Sequence, residues 1–336
     1  MKIKLVIVVL FLTGNLIFAG EEEGFKPHGS PFAKVFFNYH TELTDSNTIS
    51  TFQITRAYLG YKYKLSEEFS TKINIDVGNP KVNIGDSLSG KTSQQITAFL
   101  KVASVTYKSG NLKLSAGLIG IYQHKLSEDI WEHRYLYKSI QDEYKLSTSA
   151  DLGINATYKV TDFLSLDLTV RNGEGYKYIK DSDNAFNTAF GFTLKPFEGL
   201  TFRGFYDYIE RSEIQTTVSH FVYYEVGDLT VGGEYDMQFN NKDKKDHTLN
   251  ALSVFALYDI TKEIEVFGRF DMLSSNKLSG DTENWNYAKD ESVIIGGVQY
   301  SPIKYVKVAL NYQGFIPADD SKDPMNFIYV NFQFKF

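Results

Sequence analysis

The side chains best suited to chemistry are charged, and they come in two arrangements. Along many segments charged residues share one parity, as in Lys72 with Asp76, Asp167 with Arg171, Glu234 with Asp236 and Arg269 with Asp271. Across segment 122–147 that alternation stops. There Ile130, Arg134 and Lys138 recur every four residues, as do Trp131, Tyr135 and Ser139, which predicts a short helix or turn. Two cations one helical turn apart could join a third, such as Arg56, around an oxyanion, because guanidinium groups match such oxygens geometrically. Wall charges that merely pair with one another are the simpler reading, since exposed ion pairs are often inert.

Catalytic chemistry is missing from the pattern. There is no Gly-x-Ser-x-Gly elbow, and Ser219 and His220 are neighbours, so a strand would send them to opposite faces. Of the six histidines, only Glu132-His133 puts a second ligand type close by, and that dipeptide cannot chelate a metal alone. No enzyme, metal or cofactor is expected. Gly173-x-Gly175, Gly232-Gly233 and Gly296-Gly297 lack the strand-to-helix step of a phosphate loop. Asp319-Asp320 and the Lys242–Asp246 cluster read as solvated loop charges.

The elements that must carry these charges alternate with period two. Leu164, Leu166, Leu168 and Val170 share one face of a strand, and Ser165, Asp167, Thr169 and Arg171 share the other. Residues 68–77 and 304–313 repeat the arrangement, and sixteen such strands are read between 33–42 and 324–336. Connections after even-numbered strands are tight, at Ser66-Glu67, Ser109-Gly110, Thr161-Asp162, Phe197-Glu198, Gly227, Thr261 and Pro302-Ile303. Those after odd-numbered strands are mostly longer, with 210–212 out of line. Loop length segregated by parity, with an even strand count, is the signature of an antiparallel up-and-down β-barrel in a bacterial outer membrane. A soluble β-sandwich has no reason for it.

Composition agrees. Phe (26) and Tyr (23) far outnumber Trp (2), yet mean hydropathy is only −0.26, so the aromatics do not sit in long apolar runs. Girdles at the two edges of a bilayer would hold them. The chain has no cysteine, hence neither disulfides nor a lipid anchor. Residues 1–19 read as a signal peptide: Lys2 and Lys4, an apolar core, then small residues with Ile17 at −3 and cleavage after Ala19. That leaves 20–32 as a periplasmic lead-in and 33–336 as the barrel. Removing Lys2 and Lys4 leaves 33 basic against 41 acidic residues, a formal charge of −8, which argues against a nucleic-acid partner.

The strand parities place Arg56, Lys72, Arg171, Arg203, Arg269 and Lys307 toward the lumen, together with Asp76, Asp151, Asp167, Asp207, Glu234, Asp236, Glu265 and Asp271. Such a mixture predicts a passive diffusion channel for small hydrophilic solutes and ions with weak charge preference. The third long loop, 122–147, is expected to fold inward and narrow it, with Arg134, Lys138, Glu132, His133 and Arg56 at the constriction. An oxyanion channel and a closed structural or adhesive barrel are the alternatives.

Three stretches carry a resemblance. Arg134-Tyr135-Leu136-Tyr137-Lys138-Ser139 followed by Asp151-Leu152-Gly153-Ile154, Phe52 to Gly60, and Val170-Arg171-Asn172-Gly173-Glu174-Gly175 resemble the phosphate-selective porin O/P family. The resemblance implies a sixteen-stranded homotrimer in outer-membrane lipid. It also implies that the barrel-assembly machinery reads the terminal Phe336, and that phosphate or other anions are candidate solutes.

Overall fold

The structure is a computed structural model that describes residues 24–43, 50–78, 96–178 and 184–336. Within them the chain forms β1 (His28–Glu42), β2 (Ser50–Lys64), β3 (Phe69–Gly78), β4 (Thr97–Ser109) and β5 (Leu112–Gly120). Two short helices follow, α1 (Tyr122–Trp131) and α2 (Ile140–Glu143). The remaining strands are β6 (Ala150–Lys159), β7 (Leu164–Arg171), β8 (Asn187–Leu194), β9 (Leu200–Glu210), β10 (Ile214–Val226) and β11 (Leu229–Phe239). After them come β12 (Leu249–Asp259), β13 (Ile264–Ser275), β14 (Glu291–Ile303), β15 (Val306–Pro317) and β16 (Met325–Lys335). Each strand pairs antiparallel with its chain neighbours, and β16 pairs with β1, so the sheet is a closed barrel. At the seam Ala33 and Phe336 exchange two backbone hydrogen bonds of 3.1 Å.

Closure by sixteen strands agrees with the period-two reading. β1 begins at His28, which pairs with Lys64 of β2, ahead of the start at 33 expected from the sequence. The signal segment 1–19 lies outside the described residues.

The short connections share a construction. Thr161 Oγ1 accepts from the Leu164 amide at 3.0 Å, Thr261 Oγ1 from Ile264 at 3.1 Å, and Ser66 Oγ from Phe69 at 3.0 Å. A hydroxyl satisfying the turn's own backbone lets four residues reverse the chain. Two tighter turns use Gly110 (φ 53°) and Gly227 (φ 57°) in the left-handed region that a two-residue hairpin loop requires.

Burial divides most of the strands by parity. Asn74, Asp76, Asp167, Gln299 and Asn311 are buried, while their chain neighbours Ile73, Ile75, Leu168, Val298 and Leu310 are exposed. A water-soluble β-sandwich shows the reverse, with apolar side chains inside and polar ones outside. Among the described residues no helix is long and apolar enough to cross a membrane.

Two bulges rephase the polar face near β2 and β4. Phe36 pairs with Arg56 but Phe37 with Ile54, which leaves Thr55 as the extra residue; Asn74 pairs with Val102 but Ile75 with Leu100, which leaves Lys101. Bulges commonly re-aim a side chain beside a functional site.

Candidate functional site

The charged residues of the polar face fall into two groups according to what covers them. On β7–β13 the buried cations are matched one to one. Arg203 Nη1 lies 2.8 Å from Asp167 Oδ2 and is 1% exposed; Arg171 Nη2 lies 2.8 Å from Asp207; Arg269 Nη2 lies 2.6 Å from Asp271. A buried charge left alone would cost several kcal/mol, about 3–5 where one partner is removed, so pairing is the condition for burial. Gly191 makes room for one pair: a Cβ there would fall 2.6 Å from Asp167 Oδ2 and closer still to Arg203 Nη2.

What buries these groups is residues 121–149. Gln123 Nε2 donates to Ser219 at 3.1 Å and to Glu234 at 3.3 Å, and its carbonyl accepts from Arg203 Nε. Ser127 donates to Glu234 at 2.9 Å, and Gln141 to Asp236 at 2.7 Å. Farther round, Tyr135 donates to Gln299 at 2.8 Å, and its carbonyl accepts from Asn331 at 3.3 Å. Trp131 is 1% exposed. It packs edge-on to Phe255 and Phe267, and the Arg269 guanidinium lies 4.8 Å from its ring. One segment thus bonds to β9, β10, β11, β14 and β16.

Inside the segment the expected helix is displaced. Helix α1 stops at Trp131, where Glu132 takes φ 53° and its amide closes on Glu128 O, and 132–139 is not helical. Arg134 and Lys138 therefore share no helical face. Arg134 donates to Glu128 at 2.8 Å and to Asp142 at 3.0 Å, and Lys138 lies 2.8 Å from Glu143. Arg56 lies 3.2 Å from Asp76, which also accepts from Tyr176 at 2.6 Å. Burial alone would raise the Asp142 carboxyl, yet Arg134 and Lys138 hold it well below the carboxylate range. The three expected cations are thus each tied to an acid.

The other expected constriction residues face the wall. Glu132 lies 3.1 Å from Lys307. His133 is fully buried against Phe267, with Nδ1 2.7 Å from Trp131 O and Nε2 2.7 Å from Glu265 Oε1, an approach off the hydrogen-bonding direction. Asp151 is occupied by the Gly173 and Leu152 amides at 2.7 and 2.8 Å. His124 on α1 is 2% exposed with no protein partner on either ring nitrogen, and burial pushes its pKa down to about 4.

The second group lies on β1–β5, where cations meet rings more than acids. Lys34 Nζ is 5.3 Å from the Phe36 ring, and Lys101 Nζ is 5.1 Å from Tyr58 and 5.3 Å from Tyr176. Lys62 and Lys72 stand opposite each other in the β2–β3 register, 5.5 and 5.4 Å from the same Phe32 ring. Of these, only Lys72 stands out from strand parity alone. Lys62 could have been found by folding the chain about Ser66, whereas Lys101 is hidden by its bulge. Gln123, Ser127 and Gln141, which dock the segment, carry no sequence signal.

No protein-family model and no curated protein matches this chain by sequence. Solved structures share its architecture. OmpF of Salmonella typhi, in complex with daunomycin, is 13% identical with a TM-score of 0.67, over 92% of this chain and 97% of that one. The outer membrane channel DcaP of Acinetobacter baumannii is 11% identical (TM-score 0.67; 93% and 99% covered), and Pseudomonas putida OprB is 10% identical (0.70; 92% and 94%). At these identities the likeness is one of fold, a closed sixteen-strand barrel of the outer-membrane porin type.

Proposed function

We propose that the protein is a passive diffusion channel of the bacterial outer membrane for small hydrophilic solutes and ions. In this reading the exposed apolar face lies against lipid, the buried polar face lines the lumen, and residues 121–149 fold inward against β9–β16. The open path then runs along the β3–β5 side of that segment. A single observation carries the reading: the segment reaches polar-face residues on β9, β10, β11, β14 and β16 with direct hydrogen bonds. A barrel of this strand number has room for a water-filled channel.

Weak selectivity at the level of Arg134 is supported by the ties of Arg134, Lys138 and Arg56 to Glu128, Asp142, Glu143 and Asp76. These argue against an oxyanion site built from that trio, although the resemblance to the phosphate-selective porin O/P family keeps anions among the candidate solutes. We read no catalysis: Ser219 lies on the buried face and His220 on the exposed one. Export through the N-terminal segment, trimer formation and recognition of Phe336 by the assembly machinery belong to the same proposal. Planar-bilayer recordings test it. Stepwise conductance with nearly equal cation and anion permeability is expected; a reconstituted protein that carries no current would instead be a structural or adhesive barrel.

A further inference from the structure

We propose that the long-loop end of the barrel carries a binding site for an acidic sugar, one uronate-type ring of an anionic glycan. The connections β11–β12 and β13–β14 enclose a cavity of about 260 Å³, lined by Lys242, Lys244, Lys289, Asn241, Trp285 and Asn286. Every charged side chain in that lining is basic. Among the described residues the lysines in ion pairs are Lys125, Lys138, Lys159, Lys307 and Lys322, so all three cavity lysines are without one. Burial lowers the pKa of Lys242, and the charges of Lys289, Lys145 and Lys244 lower it further. Lys145 belongs to the inward segment, so a third part of the chain adds to the same positive field. The cavity is reachable, with Lys242, Lys244 and Lys289 exposed and Trp285 half-buried.

The two connections are bonded to each other and to the wall. Asn276 donates to Asp246 O at 2.9 Å and accepts from the Thr248 amide at 2.7 Å. Trp285 Nε1 donates to Thr248 O at 3.1 Å, and the His247 ring lies 4.7 Å from the indole. Lys242 stands at φ 55°, a left-handed conformation that side chains of its kind rarely adopt, and its amide donates to Gln215 Oε1 at 2.7 Å. The lysines are thus carried on a fixed turn, and a ligand need order little of the loop to bind.

Asn241 narrows the class of ligand. It is 4% exposed, and its Nδ2 donates to Gln238 Oε1, whose own amide is held by Leu146 O and Thr217. That network fixes which way the Asn241 amide points, and its Oδ1 has no hydrogen-bond partner. A buried acceptor without a donor is costly, which favours a ligand hydroxyl at this wall. A bare inorganic anion matches the lysines but neither the indole nor the Asn241 carbonyl. A sugar acid matches all three, with a carboxylate for the ammonium groups, hydroxyl donors for Asn241 and a C–H face for the ring. The volume falls below the roughly 300–1,000 Å³ of drug-sized sites, which suits one ring with the glycan continuing outward.

The site rests on the outer-membrane reading only in that the long loops face the cell exterior; it does not depend on conduction. Trigalacturonate is titrated against the full-length protein in detergent by isothermal titration calorimetry, which needs no current. Saturable binding is expected for the wild type and for Lys242→Arg/Lys289→Arg. Affinity should be about tenfold or more weaker for Lys242→Gln/Lys289→Gln, and for the methyl-esterified trisaccharide with the wild type. Trp285→Leu should weaken binding as well, a loss that charge alone would not produce. No binding to the wild type, undiminished binding to the Gln variant, or equal affinity for triglutamate or inorganic phosphate overturns the site. Bilayer conductance, recorded separately, decides the channel reading alone.

Discussion

The wall of β7–β13 and the wall of β1–β5 solve the same problem in opposite ways. Where residues 121–149 cover the sheet, each buried arginine has its own carboxylate, as Arg203 has Asp167 and Arg269 has Asp271. At the short-turn end of β2 and β3, where side chains are more exposed, Lys62 and Lys72 stand opposite each other within 5.5 Å of the same Phe32 ring. Water explains the difference. A charge stripped of solvent must find its partner within the protein, whereas a solvated one can stay unmatched and keep its field for a solute.

That contrast is easiest to break from the covered side. Arg203→Ala would strand the Asp167 carboxylate and should cost about 3–5 kcal/mol, read as a lower urea midpoint in lipid vesicles; adding Asp167→Asn should recover part of it. A smaller effect comes from pH. His124 titrates at about 4 when buried and near 6.5 when released. The released segment therefore binds more protons between these values, and docking weakens as pH falls from about 6.5 to about 4, by roughly 3 kcal/mol in all. Asp142, held below its ordinary range, keeps its contribution throughout that window. Protease cleavage within 132–139 should accelerate on acidification, and His124→Phe should remove that acceleration.

The uncovered side should respond with the opposite sign. Lys62→Glu would replace a like-charge pair by an ion pair with Lys72 and should raise stability by about 0.2–1 kcal/mol while moving permeability toward cations. Least of all, Lys159→Ala breaks a pair with Asp162 that stands in open solvent, and the urea midpoint should not move.

Sequence legibility followed the same divide. The barrel was readable because period-two alternation and the Ser66, Thr161 and Thr261 turns are local signals. Polar-face charges such as Asp167 and Arg203 were readable from parity, but their pairing joins β7 to β9 across β8, which no local pattern encodes. The Arg134–Lys138 spacing misled: a helix that ends at Trp131 carries neither residue, and each pairs with an acid close in the chain. Lys101 escaped because one extra residue at a bulge reverses the parity of everything beyond it.

The seam has a consequence for how the molecule comes into being. Phe336 spends its own amide and carbonyl on Ala33, some three hundred residues away, so the final ladder must wait until both Ala33 and Phe336 have been made. Until then β1 waits with one edge unpaired while the rest of the sheet is laid down between it and β16. Closing the ring removes both free edges at one stroke, and leaves no strand for a second chain to extend.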